Sequence, residues 1–103
     1  MIVEFRTYTL NPGTTPQFEE RFAEALPART KVSPLAAFWH TEVGPLNQVV
    51  HVWKYASQAD REKKRDALMA DPAFKEYLAK SRELGAHQSQ ECRILKSTSF
   101  SPL

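Results

Sequence analysis

Crosslinking is excluded by the first count: the chain of 103 residues holds one cysteine, Cys92. No internal disulfide can form, and there is no cysteine cluster for a zinc or iron–sulfur centre. Glycine is scarce as well, three in all, and none sits in the Gly-rich loop that cradles phosphates. Long apolar runs are missing. The longest is Leu35 to Trp39, far short of the roughly 20 residues a membrane-spanning helix needs. Glu4 and Arg6 stand where a signal peptide has its apolar stretch, so the expectation is a cytoplasmic protein with no membrane span. Charge of one sign is also lacking: 14 Lys and Arg against 12 Asp and Glu leave a net +2, without the basic face that nucleic-acid binding requires. No nucleophile stands beside an attendant base in a known motif, so hydrolase, nucleotide-binding and zinc-finger classes are unsupported.

What is present is an ordinary domain composition, 42% hydrophobic and 25% charged, read as one domain over residues 1–103. Folding at this size hides roughly two thirds of the unfolded surface, and pairing of subunits adds to that. Ile2 to Leu10 alternates as a strand, with Val3, Phe5 and Thr7 on one side and Glu4, Arg6 and Tyr8 on the other. Asn11-Pro12-Gly13 stops it. Thr14 or Thr15 caps a helix that accepts Pro16 in its first turn, buries Phe18, Phe22, Ala25 and Leu26, and is disturbed or ended by Pro27. Leu35 to Val43 and Asn47 to Tyr55 form a hairpin around Gly44-Pro45-Leu46-Asn47. Ser57 opens a charged helix to about Ala70, with Ala59, Leu68 and Met69 as its few apolar contacts. Asp71-Pro72 starts another that Gly85 closes. Glu91 to Thr98 is the last strand. Cys92 and Ile94 alternate on it, which reads as a buried inert thiol, and the tail Phe100 to Leu103 reads as docked.

This order, strand, helix, strand, strand, helix pair, strand, is the split βαβ arrangement: an α+β, ferredoxin-like βαββαβ antiparallel sheet with helices on one face. Val3 and Phe5 with Val50 and Val52 are assigned to the helix-facing side. Glu4, Arg6, Tyr8, His51, Trp53 and Tyr55 then share the bare side, which at about 25 cal/mol per Å² of apolar area needs a cover. A second copy of the chain, sheet against sheet about a two-fold axis, is the simplest one. The reverse assignment, aromatic side under the helices, fits the same periodicity.

Glu4-x-Arg6-x-Tyr8-x-Leu10-x-Pro12-Gly13, Phe38-Trp39, Glu42-x-Gly44-x-x-Asn47 and Val50-His51-x-Trp53-x-Tyr55 occur in order. Arg61, Arg65, Asp71-Pro72-x-Phe74 and Phe100-Ser101-Pro102 follow them. Taken together, this set resembles the NIPSNAP domain family over nearly the whole chain. The resemblance implies a homodimer with the dimeric α+β barrel fold, shared with cofactor-free monooxygenases, isomerases and haem enzymes. It implies no agreed chemistry, and His40 and Cys92 lie outside its pattern.

For the site, the residues assigned to ligand binding are Glu4, Arg6, Tyr8, Phe38, His51, Trp53, Tyr55, Arg61 and Arg65, with a small aromatic or apolar molecule as partner. Glu4 and Arg6 read first as an ion pair, with Arg6 as holder of an anionic substrate as the alternative. Arg61 and Arg65 read as solvated or paired with Glu62 and Asp66, or else as a clamp for a carboxylate. A hairpin symmetric about its turn sets His40 opposite His51 and Phe38 opposite Trp53. By ligand type His40, His51 and Glu42 suit a first-row ion, but hydrogen-bonded histidines explain the same pattern, and no metal is assigned. No cofactor is assigned either; haem with His40 or His51 as axial ligand is the variant a Soret band decides. Under the alternative reading, a cofactor-independent monooxygenase or isomerase, His51, Tyr8 and Tyr55 are the proton carriers.

Overall fold

Alternation in the first strand and helical spacing in the segments after it produce the expected order of elements. The computed structural model describes residues 1–103 as β1 (Ile2–Leu10), α1 (Thr15–Thr30), β2 (Leu35–His40), β3 (Gln48–Tyr55), α2 (Gln58–Ala70), α3 (Pro72–Leu84) and β4 (His87–Lys96). The sheet is antiparallel in the order β2-β3-β1-β4, so β1 and β3 are central. This is the ferredoxin-like α+β arrangement. A thickness of 19 Å matches one sheet and one helical layer.

The helices cover the aromatic side. Glu4, Tyr8, His51, Trp53 and Tyr55 are buried beneath them with Phe18 and Phe22, whereas Val3, Phe5, Ala37, Val52 and Leu95 line a groove on the open face. This corrects the assignment of Val3, Phe5, Val50 and Val52 to the helices. Buried rings each remove about 150–250 Å² from water, more than a valine-rich face offers, and the charges on the aromatic side neutralise one another instead of blocking burial.

The hairpin pairs Phe38 with His51, Trp39 with Val50 and His40 with Val49, not His40 with His51. The Thr41 N–H donates to the Gln48 carbonyl, and Asn47 takes a left-handed φ of 62°, so the loop is centred one residue earlier than a turn over Gly44 to Asn47. Pairing moves by two residues, and the faces survive because strand side chains repeat every two. β2 therefore ends at His40 instead of Val43.

Other local rules hold in part. Thr14 sits at the N-cap of α1, but its hydroxyl donates to the Asn11 carbonyl and makes no cap bond. Pro27 does not end α1, which runs on to Thr30 with Ala28 and Arg29 buried. Ser57 caps α2 through the Asp60 N–H. Asp71 accepts from Ala73 and Phe74 at the head of α3, and Gly85 closes it with φ 60°, which a Cβ would strain. Asp71→Ala is expected to cost about 1 kcal/mol, measured by urea unfolding. β4 begins at His87, earlier than Glu91. It is an edge strand beyond the helical layer, so Cys92 is exposed instead of buried. The tail is not docked through its apolar ends: Phe100 is 87% and Leu103 67% exposed.

Candidate functional site

The charged side chains of β1 organise one wall. Glu4 is fully buried; one carboxylate oxygen accepts from Arg6 Nε, the other accepts from Arg61 Nε, and Arg65 Nη1 lies 3.8 Å away. Burial pushes this carboxyl up, but bonds and charge from Arg6 and Arg61 outweigh burial and hold it below the usual range. Arg6 Nη1 also donates to the Tyr8 hydroxyl at 3.2 Å. Arg61 and Arg65 thus pair with Glu4 across the layers, not with Glu62 and Asp66. The pairing follows from Arg61 and Arg65 lying one turn apart on the face of α2 that looks down on β1.

Next to this wall lies an aromatic block. The Trp53 Nε1–H donates to His51 Nδ1 at 2.7 Å, so the proton of the neutral imidazole sits on Nε2, which is buried without a partner. His51 stacks on Phe38 at 5.7 Å and meets Tyr8 edge-on at 4.8 Å. Burial first, then the positive Arg29 and Arg6, push its pKa down to about 3. With Nδ1 taken by the indole and Nε2 protonated and buried, neither ring nitrogen accepts a further proton or ligates a metal or haem iron without repacking. His40 is held at the other edge of the protein by Glu19 of α1, which raises its pKa. His40 and His51 therefore form no shared site with Glu42.

Arg29 is one residue that sequence reasoning missed. It is 6% exposed, its guanidinium lies 3.8 Å over the Trp53 ring, and its Nε has no hydrogen-bond partner. No carboxylate pairs with it, and burial pushes its pKa down to about 10. The signal was the helical period: Arg29 follows Phe18, Phe22 and Leu26 on the buried stripe of α1.

A cavity of about 370 Å³ opens between this sheet face and α3, within the size range of small-molecule sites. Arg6 and Tyr8 of β1, Arg29 of α1, Arg65 of α2, Tyr77 of α3 and His87 of β4 converge on it. Burial raises the Tyr77 phenol to about 12 and lowers the His87 imidazole. Of the residues assigned from sequence, Arg6, Tyr8 and Arg65 line this cavity. Glu4 and Arg61 stand behind it, and His51, Trp53 and Tyr55 are packing beneath the helices. Phe38 lines a separate cleft of about 490 Å³ between α1 and β2. His87 escaped notice because its strand starts earlier than the alternation suggested.

Fold and cavity together define a ferredoxin-like α+β protein with a small-molecule-sized space between sheet and helices. Residues 3–102 match the NIPSNAP family, and the chain belongs to it. The chain is 34% identical over 101 residues to the protein NipSnap of Drosophila melanogaster, covering 98% of this chain and 36% of that one. It is 37% identical over 78 residues to a NipSnap homolog of Dictyostelium discoideum, covering 76% and 35%. It spans about a third of the length of these curated relatives. A solved NIPSNAP domain protein of Burkholderia xenovorans is 31% identical, covers 99% of each chain and superposes with a TM-score of 0.89. The fold alone is shared with SnoaB, a cofactor-independent oxygenase from Streptomyces nogalater, at 14% identity and TM-score 0.69, covering 99% and 97%. No helix is long and apolar enough to cross a membrane.

Proposed function

We propose that this chain is a homodimeric small-molecule-binding domain of the cytoplasm that holds a ligand with an apolar body in the cavity beneath α3. The observation that carries the reading is the convergence of polar groups from both layers on a space also walled by Phe22, Phe74, Tyr77 and Leu78. That combination of apolar wall and a few directed polar groups is the usual chemistry of a binding site. The single thiol, exposed and unpaired, suits a reducing compartment.

Ser81 lines the cavity from α3 and is small. Ser81→Leu is expected to fill the space and abolish the thermal shift that small aromatic acids and amides produce in the parent protein. An unchanged shift in a folded Ser81→Leu variant rejects the cavity as the site. The second copy covers the open face, where Val52, Phe5, Leu95 and the 57% exposed Trp39 present a groove of apolar side chains. Light scattering is expected to show twice the chain mass, and Trp39→Asp half of that; a monomeric parent protein defeats the pairing.

The second reading, a cofactor-independent oxygenase or isomerase, is favoured by His87 and Tyr8, which face the cavity with ring centroids 5.0 Å apart. The neutral His87 imidazole suits a proton acceptor. Oxygen uptake that depends on His87 supports this reading over simple binding.

A further inference from the structure

The cavity is walled by four guanidiniums, from Arg6, Arg29, Arg65 and Arg82, and by no carboxylate. Behind it Glu4 is the one acid in contact, and it is shared among Arg6, Arg61 and Arg65. Arg29 and Arg82 are left without an anionic partner. Their positions differ in kind. Arg82 is exposed, where water satisfies it. Arg29 is buried to all but 6%, with the face of its guanidinium laid on Trp53 and its Nε unbonded.

Burying a guanidinium with neither a counter-ion nor a full set of acceptors is unfavourable, and a fold tolerates it where a ligand supplies both. The planar fork suits two oxygens of one carboxylate or phosphate. Stacking on Trp53 leaves that fork in a fixed plane, ready to bind without reordering. Beyond it, Met69, Phe74, Tyr77 and Leu78 supply apolar wall, and the volume of about 370 Å³ accommodates a short body, on the order of ten to fifteen non-hydrogen atoms. The exposed Arg82 adds a positive entrance that draws anions in.

Building on the cavity as the binding site, we infer that its ligand is a small organic oxyanion, a carboxylate or phosphate carried on an apolar body, with Arg29 as the anchor for the charged head. Inorganic anions satisfy the charge but leave the apolar wall wet, so they bind more weakly than the same head on a hydrocarbon or aryl group.

Calorimetric titration of the full chain tests this with matched probes: benzoate, phenylacetate and phenyl phosphate against benzamide and phenylacetamide, which keep the shape and remove the charge. The expected result is that the anions bind more tightly than the amides by about thirtyfold or more, a factor in the range for a charged hydrogen-bonded pair. Arg29→Met is expected to erase that difference, with the anions losing far more affinity than the amides. The comparison of acid with amide is made on the parent protein, so it decides the matter even where Arg29→Met fails to fold. Phenyl phosphate above the carboxylates assigns a phosphate monoester, and the reverse order assigns a carboxylic acid; either supports the oxyanion. Equal binding of acids and amides, still lost in Ser81→Leu, overturns the charge preference and leaves the cavity reading standing. Absence of binding by every probe overturns both.

Discussion

Acidification from neutral pH to pH 4 is expected to remove roughly 3 kcal/mol of stability through His51 alone. The unfolded chain takes a proton on this imidazole near 6.5, whereas the folded chain, with the ring sealed and beside Arg29 and Arg6, does so only near 3. Between those values the unfolded state holds more protons, so stability declines as pH falls. His87, also lowered by burial, acts in the same direction. His40, raised by Glu19, acts in the opposite one, but it lies at an exposed edge where solvent screens the pair. Urea unfolding of the parent protein and of His51→Gln, at steps from neutral to pH 4, separates these contributions. Gln keeps an acceptor for the Trp53 indole and does not titrate, so the variant is expected to show a much flatter acid limb. Parallel curves for the two proteins rule out the neutral buried imidazole.

The second large effect belongs to Glu4. Replacing it with Gln removes the counter-charge of Arg6, Arg61 and Arg65, and is expected to cost about 3 kcal/mol, the low end for a broken buried pair. The low end applies because Arg6, Arg61 and Arg65 keep 15%, 21% and 23% side-chain exposure and can turn toward water. Because the folded carboxyl is held below its ordinary value of 4.5, its contribution is present above that pH. It is lost as pH falls through the folded value, a window more acid than the onset of the His51 effect. The double variant Glu4→Leu with Arg6→Met is expected to be more stable than Glu4→Gln, since it leaves no uncompensated charge on β1. A double variant weaker than the single one argues against a charge-based cost.

Glu4 and His51 share a lesson about the aromatic side of the sheet. Both meet a partner close at hand in the fold: Glu4 three arginines, His51 the indole of Trp53 at its Nδ1. Arg29 has no such partner, and it lines the cavity. The distinction between a charge neutralised within the fold and one that is not therefore rests on pairing, which residue spacing does not report. Tyr55 illustrates the same point from the apolar side. Its alternation with Trp53 and His51 marked it as part of a site, yet it is buried core, with Lys64 6.0 Å from its ring.

Local signals were sufficient wherever the causing residues lie within a few positions of one another. The two-residue period over Ile2 to Leu10, the Asp71-Pro72 start and Gly85 stop of α3, and the strand-helix-strand-strand order are all effects of short range, and they were legible in the chain. Loop centring was not, because whether a turn is centred on residues 44 and 45 or one position later depends on which backbone groups close it. The burial of Arg29 was half legible. Its place on the stripe of α1 was there to be read, but that its guanidinium would lie on Trp53 required the packing of α1 across β3.

What the residues by themselves determined is the βαββαβ order, the division of β1 and β3 into two faces, and the family signature spread along the chain; each depends on periodicity or on local backbone preference. Only the tertiary structure decided which face the helices cover, which arginines Glu4 neutralises and which buried one is left without a counter-charge. The physical reason is that alternation is symmetric between the two sides of a strand. That symmetry is broken by side chains from distant elements competing for the same buried volume and the same few counter-charges.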